Sequence, residues 1–408
     1  MDKKCLLIGI IYLLSTCFVA ANPERRTFQV DGWEREYLLY RPQHPQQEKA
    51  AGVIVCLHGF TRTMDDFFEE YDISAVADSL NLVIIAPQAL PEQNNSVKAI
   101  AQTINLFTND QISLNSVWGC GLSVRASLLG VSLLNEELNR DVDDVNFIDT
   151  LIDHILSEYT LLSENVFILG TSMGGYMAYQ YAVKKGDRLS GLISVAGSMG
   201  LAIKGMDHAV KTPVCDFHSL TDEVVPYSGS YEQFPTTVSL AMNKTNVINY
   251  WTETNKTGTP TTEQVQYYPS TNGITVEKIT YPEPVNEVIH YKINGAPHSY
   301  FFRKENSDCM DYPEEISRFI RSHLSGTTNH IPTITAQKLF VYPNPAKEEL
   351  QVTSYELRGE NYNIFSVTGQ MLMQGKLQGE TTTINVSTLA NGVYLLRVSG
   401  KVEKFVKQ

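Results

Sequence analysis

Six short and almost continuously apolar runs recur through the first three quarters of the chain, and they constrain its fold more than any other feature. They lie at 52–57, 82–86, 166–169, 192–195, 214–218 and 288–293. Such runs are typical of parallel strands covered on both faces, because a half-buried strand would alternate apolar and polar residues. Helical patterns fall between or after them, at 73–80, 142–160, 173–185 and 312–324. This order predicts an α/β fold with a doubly wound, mostly parallel sheet.

A chain of 408 residues suits one large domain followed by a small one. We expect the large domain to cover 22–325 and to begin with an antiparallel hairpin at 26–41, at the edge of the sheet. The polar, threonine-rich stretch 326–336 is typical of a linker. Beyond it, closely spaced Asn-Pro, Thr-Gly and Asn-Gly turn pairs separate short strands, which predicts a small all-β sandwich module over 337–408.

The N-terminus has the pattern of a secretory signal peptide over residues 1–21. Lys3 and Lys4 precede an apolar run at 5–19, and small residues up to Ala21 supply a cleavage site. The segment is too short and wrongly flanked for a membrane-spanning helix, so we expect cleavage and export. An uncleaved anchor and lipidation at Cys17 are the alternatives.

The net charge of −13 argues against a nucleic-acid or anionic-membrane partner, since either would repel the chain. Four cysteines follow the signal peptide. Cys56 and Cys215 lie in strand-like runs and are expected to be small buried hydrophobes. Cys120 and Cys309 lie in loop-like sequence, and export permits a predicted disulfide between them. No cysteine or histidine pair has zinc-site spacing, so we expect neither a metal nor a cofactor.

A G-x-S-x-G motif lies between a predicted strand and a predicted helix. It runs from Gly170 through Ser172 to Gly174. A strand-to-helix turn this tight tolerates no side chain two residues from the serine, and it lifts the serine oxygen above the end of the strand. The motif therefore predicts a nucleophilic serine of the α/β-hydrolase type, with Ser172 as the nucleophile.

The other two members of a Ser–Asp–His set can be found by elimination, since the acid follows the serine and the histidine comes last in this fold. Asp222 lies just past the end of the run 214–218, at the edge where ligands bind, and Glu223 is its rival. His298 lies in a loop just past the last run. The remaining candidates lie inside strands, in helices or in connections, namely Asp187, Asp207, Asp216, His290, His323 and His330.

Two backbone N–H groups are predicted to form the oxyanion hole. Met173 follows the nucleophile at a helix N-terminus, whose dipole favours negative charge. Phe60 follows an early strand, where this fold places its second donor, with Thr61 as the alternative. His58 is expected to brace this loop rather than to react.

Taken together, these residues resemble secreted polyhydroxybutyrate depolymerase-like enzymes and feruloyl or acetyl-xylan esterases. The resemblance covers about 30–325, and the matching stretches are LHGF at 57–60, ADSLNLVIIAPQAL at 77–90, VDDVNFIDTLID at 142–153, VFILGTSMGGYMAYQYA at 166–182, FHSLTDEVVPY at 217–227 and GAPHSYF at 295–301. It implies an α/β-hydrolase fold with a pocket at the carboxyl edge of the sheet, and it independently favours Asp222 and His298.

Two regions depart from that family. Trp118 occupies the place of an aromatic segment that lines the family's site, but its neighbours differ, so it is a tentative pocket wall or an ordinary packing residue. The region 228–286 is long and carries Trp251 on a predicted helix, where a core position is expected.

The C-terminal module resembles the type IX secretion sorting domain found in Bacteroidetes. The matches are VYPNP at 341–345, IFSVTGQMLMQG at 364–375 and LANGVYLLRVSGKVEKFVKQ at the chain end. The resemblance implies the type IX secretion machinery as a partner and a secreted or cell-surface protein. A carbohydrate-binding sandwich is the alternative.

The sequence therefore predicts a secreted serine carboxylic-ester hydrolase that acts through a Ser-His-Asp acyl-enzyme mechanism. Its substrate would be a plant-polysaccharide ester or an aliphatic polyester. A prolyl-oligopeptidase-like serine peptidase and a non-catalytic surface-binding protein are the alternatives.

Overall fold

The computed structural model describes most of the chain after the N-terminal segment. The described residues are 23–42, 50–70, 73–107, 112–233, 235–267, 270, 272–302, 309–325, 340–353, 360–367, 370–379, 381–398 and 401–408. The predicted signal peptide and the predicted linker lie outside them. The chain divides into two compact units, 1–325 and 326–408, which are described separately.

The described part of the first unit has strands β1 to β14 and helices α1 to α7. In chain order the strands are Glu24–Val30, Trp33–Tyr40, Gly52–Leu57, Leu82–Pro87, Ser123–Leu128, Val131–Glu137, Val166–Thr171, Gly191–Val195, Val214–Ser219, Ser230–Gln233, Thr236–Ser239, Thr261–Val265, Thr275–Tyr281 and Val288–Asn294. The helices are Met64–Glu70, Ile73–Leu80, Asn95–Phe107, Asp144–Glu158, Met173–Lys185, Lys244–Asn255 and Tyr312–Ser322.

The main sheet has the strand order β1-β2-β4-β3-β7-β8-β9-β14-β13-β12. Its six central strands, β4 through β14 in that order, are parallel to their neighbours and coincide with the six apolar runs. The pairs β1-β2 and β12-β13 extend it antiparallel at its two edges. The predicted α/β-hydrolase fold with a mostly parallel sheet is therefore confirmed.

Two apolar cores cover the two faces of this sheet. Side chains of β3 alternate between them, with Val55 in one core and Ile54 in the other. Helices α4 and α5 complete the first core and helices α2 and α7 the second. This two-sided burial explains why the parallel strands are apolar throughout.

The predicted disulfide between Cys120 and Cys309 is wrong, because all four described cysteines are free thiols. Cys120 belongs to the core on one face of the main sheet and Cys309 to the core on the other face. The Cys309 thiol instead donates to the carbonyl of Val265 at 3.3 Å. Burial raises the pKa of the Cys56 and Cys215 thiols, and both residues are small buried hydrophobes, as expected.

A second, four-stranded antiparallel sheet has the order β10-β11-β5-β6 and was not predicted. Its hairpin β5–β6 turns at Leu129 and Gly130 and carries apolar side chains that face solvent. Leu129, Val131 and Leu133 are 70%, 65% and 64% exposed. The apolar residues alternate with Gly130 and Ser132, as they would in a half-buried strand, yet their side chains face solvent.

The second unit is all-β, as predicted. Its strands β15 to β21 are Phe340–Tyr342, Glu349–Thr353, Asn361–Ser366, Met371–Lys376, Thr381–Asn385, Gly392–Val398 and Lys401–Lys407. They form two antiparallel sheets, β15-β16-β19 and β18-β17-β20-β21, around a core of their own. Across the described parts of both units, no helix is long and apolar enough to cross a membrane.

Candidate active site

Ser172 lies in a tight turn between β7 and α5, with a φ of 51°. The two motif glycines make this turn possible. A Cβ on Gly170 would lie 2.0 Å from the carbonyl oxygen of Gly174, and a Cβ on Gly174 would lie 2.0 Å from that of Leu57. The Ser172 N–H donates to Val195 at 2.8 Å, which anchors the strained residue to β8.

Ser172, His298 and Asp222 are brought together in one hydrogen-bonded chain. The His298 Nε2 atom lies 3.1 Å from the Ser172 hydroxyl, and its Nδ1 atom lies 2.7 Å from Asp222 Oδ2. The reason is topological: β9 and β14 are parallel neighbours, so the loops that follow them meet at the carboxyl edge of the sheet. The Ser219 hydroxyl ties these loops together by donating to Ala296 at 2.6 Å.

The Asp222 carboxylate is buried and fully hydrogen-bonded. Its Oδ1 atom accepts from the N–H groups of Val224 and Val225 at 2.9 and 2.7 Å. Burial raises the pKa of Asp222, but the hydrogen bond and charge of His298 outweigh it and leave that pKa below its ordinary value. The carboxylate is therefore ionised and can hold a proton on His298 Nδ1.

The rival acid, Glu223, contacts the histidine differently. Its carboxylate accepts from the backbone N–H of His298 at 3.0 Å, while the ring nitrogen faces Asp222. Glu223 therefore fixes the backbone of the histidine loop, and Asp222 fixes the ring.

The predicted oxyanion donors lie on two segments next to Ser172, because Met173 follows it in the chain and the loop that carries Phe60 passes close to it. A Cβ on Gly59 would lie 3.3 Å from the Ser172 Cβ, so the loop carrying Phe60 runs directly past the serine. Among the described residues, the N–H groups of Phe60 and Met173 have no hydrogen-bond partner. The N–H of Thr61, by contrast, donates to Ser116 at 3.4 Å.

His58 braces this loop, as expected. It is buried, its Nε2 accepts from the Ala89 N–H at 3.1 Å, and its Nδ1 lies 2.9 Å from the Gly59 carbonyl. Burial lowers the pKa of His58 to about 4. The neutral ring therefore has one donor partner and one acceptor partner, which is the pairing that a neutral imidazole needs.

Trp118 does not line an open pocket, which corrects the tentative prediction. Its side chain has no exposed surface, and its Nε1–H donates to the His58 carbonyl at 2.9 Å. The indole also packs on the His58 ring, with centroids 4.9 Å apart. Trp118 thus supports His58 and the loop that carries Phe60. Trp251 is a core residue of α6, as expected.

A buried polar cluster lies behind the loop that carries Asp222 and Val225, which we call the acid loop. The sequence analysis missed this cluster. Asp216, which was set aside as a strand residue, accepts from Lys244 and Tyr179, each at 2.8 Å, and pairs with His290 at 2.9 Å. Lys244 lies on the apolar face of α6, at helical spacing from Val247 and Trp251. A lysine at such a position needs a buried partner, and this spacing could have revealed it.

Comparisons with known proteins agree with this picture at two places in the chain. Residues 132–249 match a family model described as phospholipase/carboxylesterase, and residues 340–408 match one described as a secretion system C-terminal sorting domain. A search of curated proteins found no match.

Several solved structures are similar at low identity. An acetyl xylan esterase from Aspergillus awamori is 12% identical with a TM-score of 0.45, over 74% of this chain and 100% of that one. Est1E from Butyrivibrio proteoclasticus is 11% identical with a TM-score of 0.37, over 73% of this chain and 96% of that one. An S-formylglutathione hydrolase from Agrobacterium tumefaciens is 18% identical with a TM-score of 0.35, over 49% of this chain and 76% of that one.

The observed sheet topology and the family match over 132–249 together define a serine ester hydrolase of the α/β-hydrolase fold. The C-terminal module is a type IX secretion sorting domain, and the protein is accordingly secreted or displayed at the cell surface.

Proposed function

We propose that Ser172 is the nucleophile of this esterase, His298 its general base and acid, and Asp222 the acid that orients His298. The observation that carries the proposal is the continuous chain of hydrogen bonds, 3.1 Å from Ser172 to His298 and 2.7 Å from His298 to Asp222. Both distances are within hydrogen-bond reach, which is the geometric requirement for proton transfer along the chain.

The reaction follows from these positions. His298 Nε2 accepts the hydroxyl proton as Ser172 Oγ attacks the ester carbonyl carbon. The negative charge on the carbonyl oxygen is stabilised by the N–H groups of Met173 and Phe60. His298 then gives its proton to the leaving alcohol, and an acyl-Ser172 ester remains. Water, deprotonated by His298, attacks the carbonyl carbon of this ester. His298 then returns the proton to Ser172 Oγ as the carboxylic acid leaves, and Asp222 stabilises the imidazolium in both halves.

We further propose that the substrate is an ester outside the cell, either a plant-polysaccharide ester or an aliphatic polyester. Export through the sorting domain supports an extracellular substrate. The exposed apolar hairpin favours the polyester of the two, because solvent-facing Leu129, Val131 and Leu133 suit an apolar surface better than a hydrated polysaccharide. The sheet of this hairpin also reaches the acid loop, since Tyr231 on β10 donates to the Val224 carbonyl at 2.6 Å.

A rate panel tests the function. Wild type and Ser172→Ala are assayed on soluble acetyl, feruloyl and 3-hydroxybutyrate esters, on an aliphatic polyester film, and on a proline-containing amide. We expect ester turnover by wild type only, with 3-hydroxybutyrate esters preferred. Preferred turnover of the amide would indicate a peptidase, and no turnover of any substrate by folded wild type would indicate a binding protein.

A further inference from the structure

His218 lies on β9, four residues before Asp222, and its side chain is completely buried. Both of its ring nitrogens face carbonyl oxygens. Nδ1 lies 3.0 Å from the oxygen of Gly197, and Nε2 lies 2.8 Å from that of Val225. Val225 belongs to the turn that donates two N–H groups to Asp222, so His218 contacts the acid loop directly.

A carbonyl oxygen can only accept a hydrogen bond, and a neutral imidazole carries only one N–H. A neutral His218 would therefore leave one nitrogen lone pair against a carbonyl oxygen at hydrogen-bond distance. His58 provides a comparison within the same fold. It is equally buried, but one of its nitrogens faces a carbonyl and the other faces the N–H of Ala89, so its neutral form is fully paired.

The charges around His218 come from three different elements. The Asp222 Oδ2 atom lies 3.8 Å from its Nε2, and Asp216 lies on the same strand. The Lys244 ammonium from α6 pairs with Asp216 at 2.8 Å and donates to the Gly197 carbonyl at 2.6 Å. The Tyr227 ring packs edge-on against the His218 ring.

The charges around His218 favour its charged form. Asp216 and Asp222 carry two negative charges, and Lys244 supplies one positive charge. His290 faces the Asp216 carboxylate with one nitrogen and the Tyr227 hydroxyl with the other. An unpaired buried charge is costly, and a second positive charge would cancel it.

One effect opposes a charged His218. Burial, followed by the charge of Lys244, lowers the pKa of His218 to about 4, whereas Asp216, Asp222 and the Val225 carbonyl act in the other direction. The same value of about 4 holds for His58, although only His58 has the partners of a neutral ring. Neither ring nitrogen of His218 faces a hydrogen-bond donor, so the two carbonyl contacts favour the charged ring against the effect of burial.

We propose that His218 carries a proton on both ring nitrogens and is a positioning residue for Asp222. Its two N–H groups join β9 to the Gly197 loop and to the acid turn, and its charge lies behind the Asp222 carboxylate. This role rests on the proposed function of Asp222 in the triad.

A positive charge on His218 affects the pH dependence of ester hydrolysis. Asp222 Oδ2 lies 2.7 Å from His298 and 3.8 Å from His218, so the two rings share one carboxylate oxygen. Charges about 6 Å apart at an effective dielectric of about 20 interact by the equivalent of roughly two pH units. A charged His218 therefore opposes protonation of His298, and removing it should let His298 keep its proton to a higher pH.

The first experiment needs no variant. Wild-type protein labelled with ¹⁵N-histidine is studied at pH 7.5 by long-range proton–nitrogen correlation, and the His218 ring is assigned through contacts with the Tyr227 ring. We expect both His218 nitrogens to be protonated. One unprotonated nitrogen would overturn the proposal, whether or not the protein hydrolyses esters.

The second experiment compares His218→Gln with the matched control His208→Gln, a histidine whose side chain is 82% exposed. The acid limb of kcat/KM on a soluble ester is measured for both, together with KM. We expect the midpoint in His218→Gln to move about two pH units higher with KM unchanged, and the control to match wild type. A uniform loss of activity with an unmoved midpoint would show a purely structural role and refute the proposal. If wild type hydrolyses no ester, the proposed function fails, and the NMR experiment still decides the state of His218.

Discussion

Replacement of Asp222 by asparagine tests the assignment of the triad acid most directly. The variant keeps Oδ1, which still accepts from the N–H groups of Val224 and Val225. In place of Oδ2 it brings an NH₂ group to within 2.7 Å of His298 Nδ1. Two donors cannot share this contact, so the imidazole must move its proton to Nε2, where it faces Ser172 and cannot accept the hydroxyl proton.

By analogy with the same substitution in serine proteases, the expected loss is about 10⁴-fold in kcat, or about 5.4 kcal/mol of transition-state stabilisation. Glu223→Gln is the matched control. Its amide oxygen can still accept from the His298 N–H, so we expect less than a tenfold change. Both variants are assayed for kcat on a soluble ester, and their thermal unfolding is compared with wild type. Near-normal activity of Asp222→Asn together with loss in Glu223→Gln would refute the assignment.

Three further predictions concern the supports of the site, the thiols and the C-terminal module. Trp118→Phe keeps the packing on His58 but loses the N–H donated to its carbonyl, so kcat/KM on a soluble ester should fall about fivefold, the equivalent of about 1 kcal/mol. Trp251→Phe is its control, because the Trp251 Nε1 has no partner among the described residues, and an equal fall in both would argue against a specific brace. Protein expressed from residue 22 should show no thiol reactive with Ellman's reagent until it is denatured, and then four; fewer than four under non-reducing denaturation would indicate a disulfide. Protein ending at Thr328 should keep kcat/KM within tenfold of full length, or about 1.4 kcal/mol, since Ser172, Asp222 and His298 lie in the first unit; a larger drop would mean that the module shapes the site.

The central sheet and the proximity of Ser172, Asp222 and His298 could be predicted because their determinants are local. A parallel strand buried on both faces is apolar at every position. The tight turn between β7 and α5 needs glycine at two fixed positions around Ser172. The acid and the histidine follow two strands that are neighbours in the sheet, so their places along the chain indicate where they lie in space.

The antiparallel insertion and the thiol arrangement could not be predicted in this way. Strand β5 pairs with β11 across about a hundred residues of intervening chain, and no local pattern encodes this pairing. The sequence around Cys120 and Cys309 has the polarity of loops, yet both residues are buried on opposite faces of one sheet. Loop-like composition indicates neither burial nor distance.

The polar cluster behind Asp222 could be predicted from the sequence only in part. Along β9, Cys215 and Phe217 enter one core, so the side chains of Asp216 and His218 must face the other side of the sheet. An aspartate and a histidine on one face of a fully buried strand require partners, because an unpaired polar group there is costly. Lys244, on the apolar face of a later helix, has the matching need and supplies the ammonium. The strand that precedes Asp222 therefore carries an aspartate and a histidine that need buried partners, and this requirement was already visible in the alternation of VCDFHS.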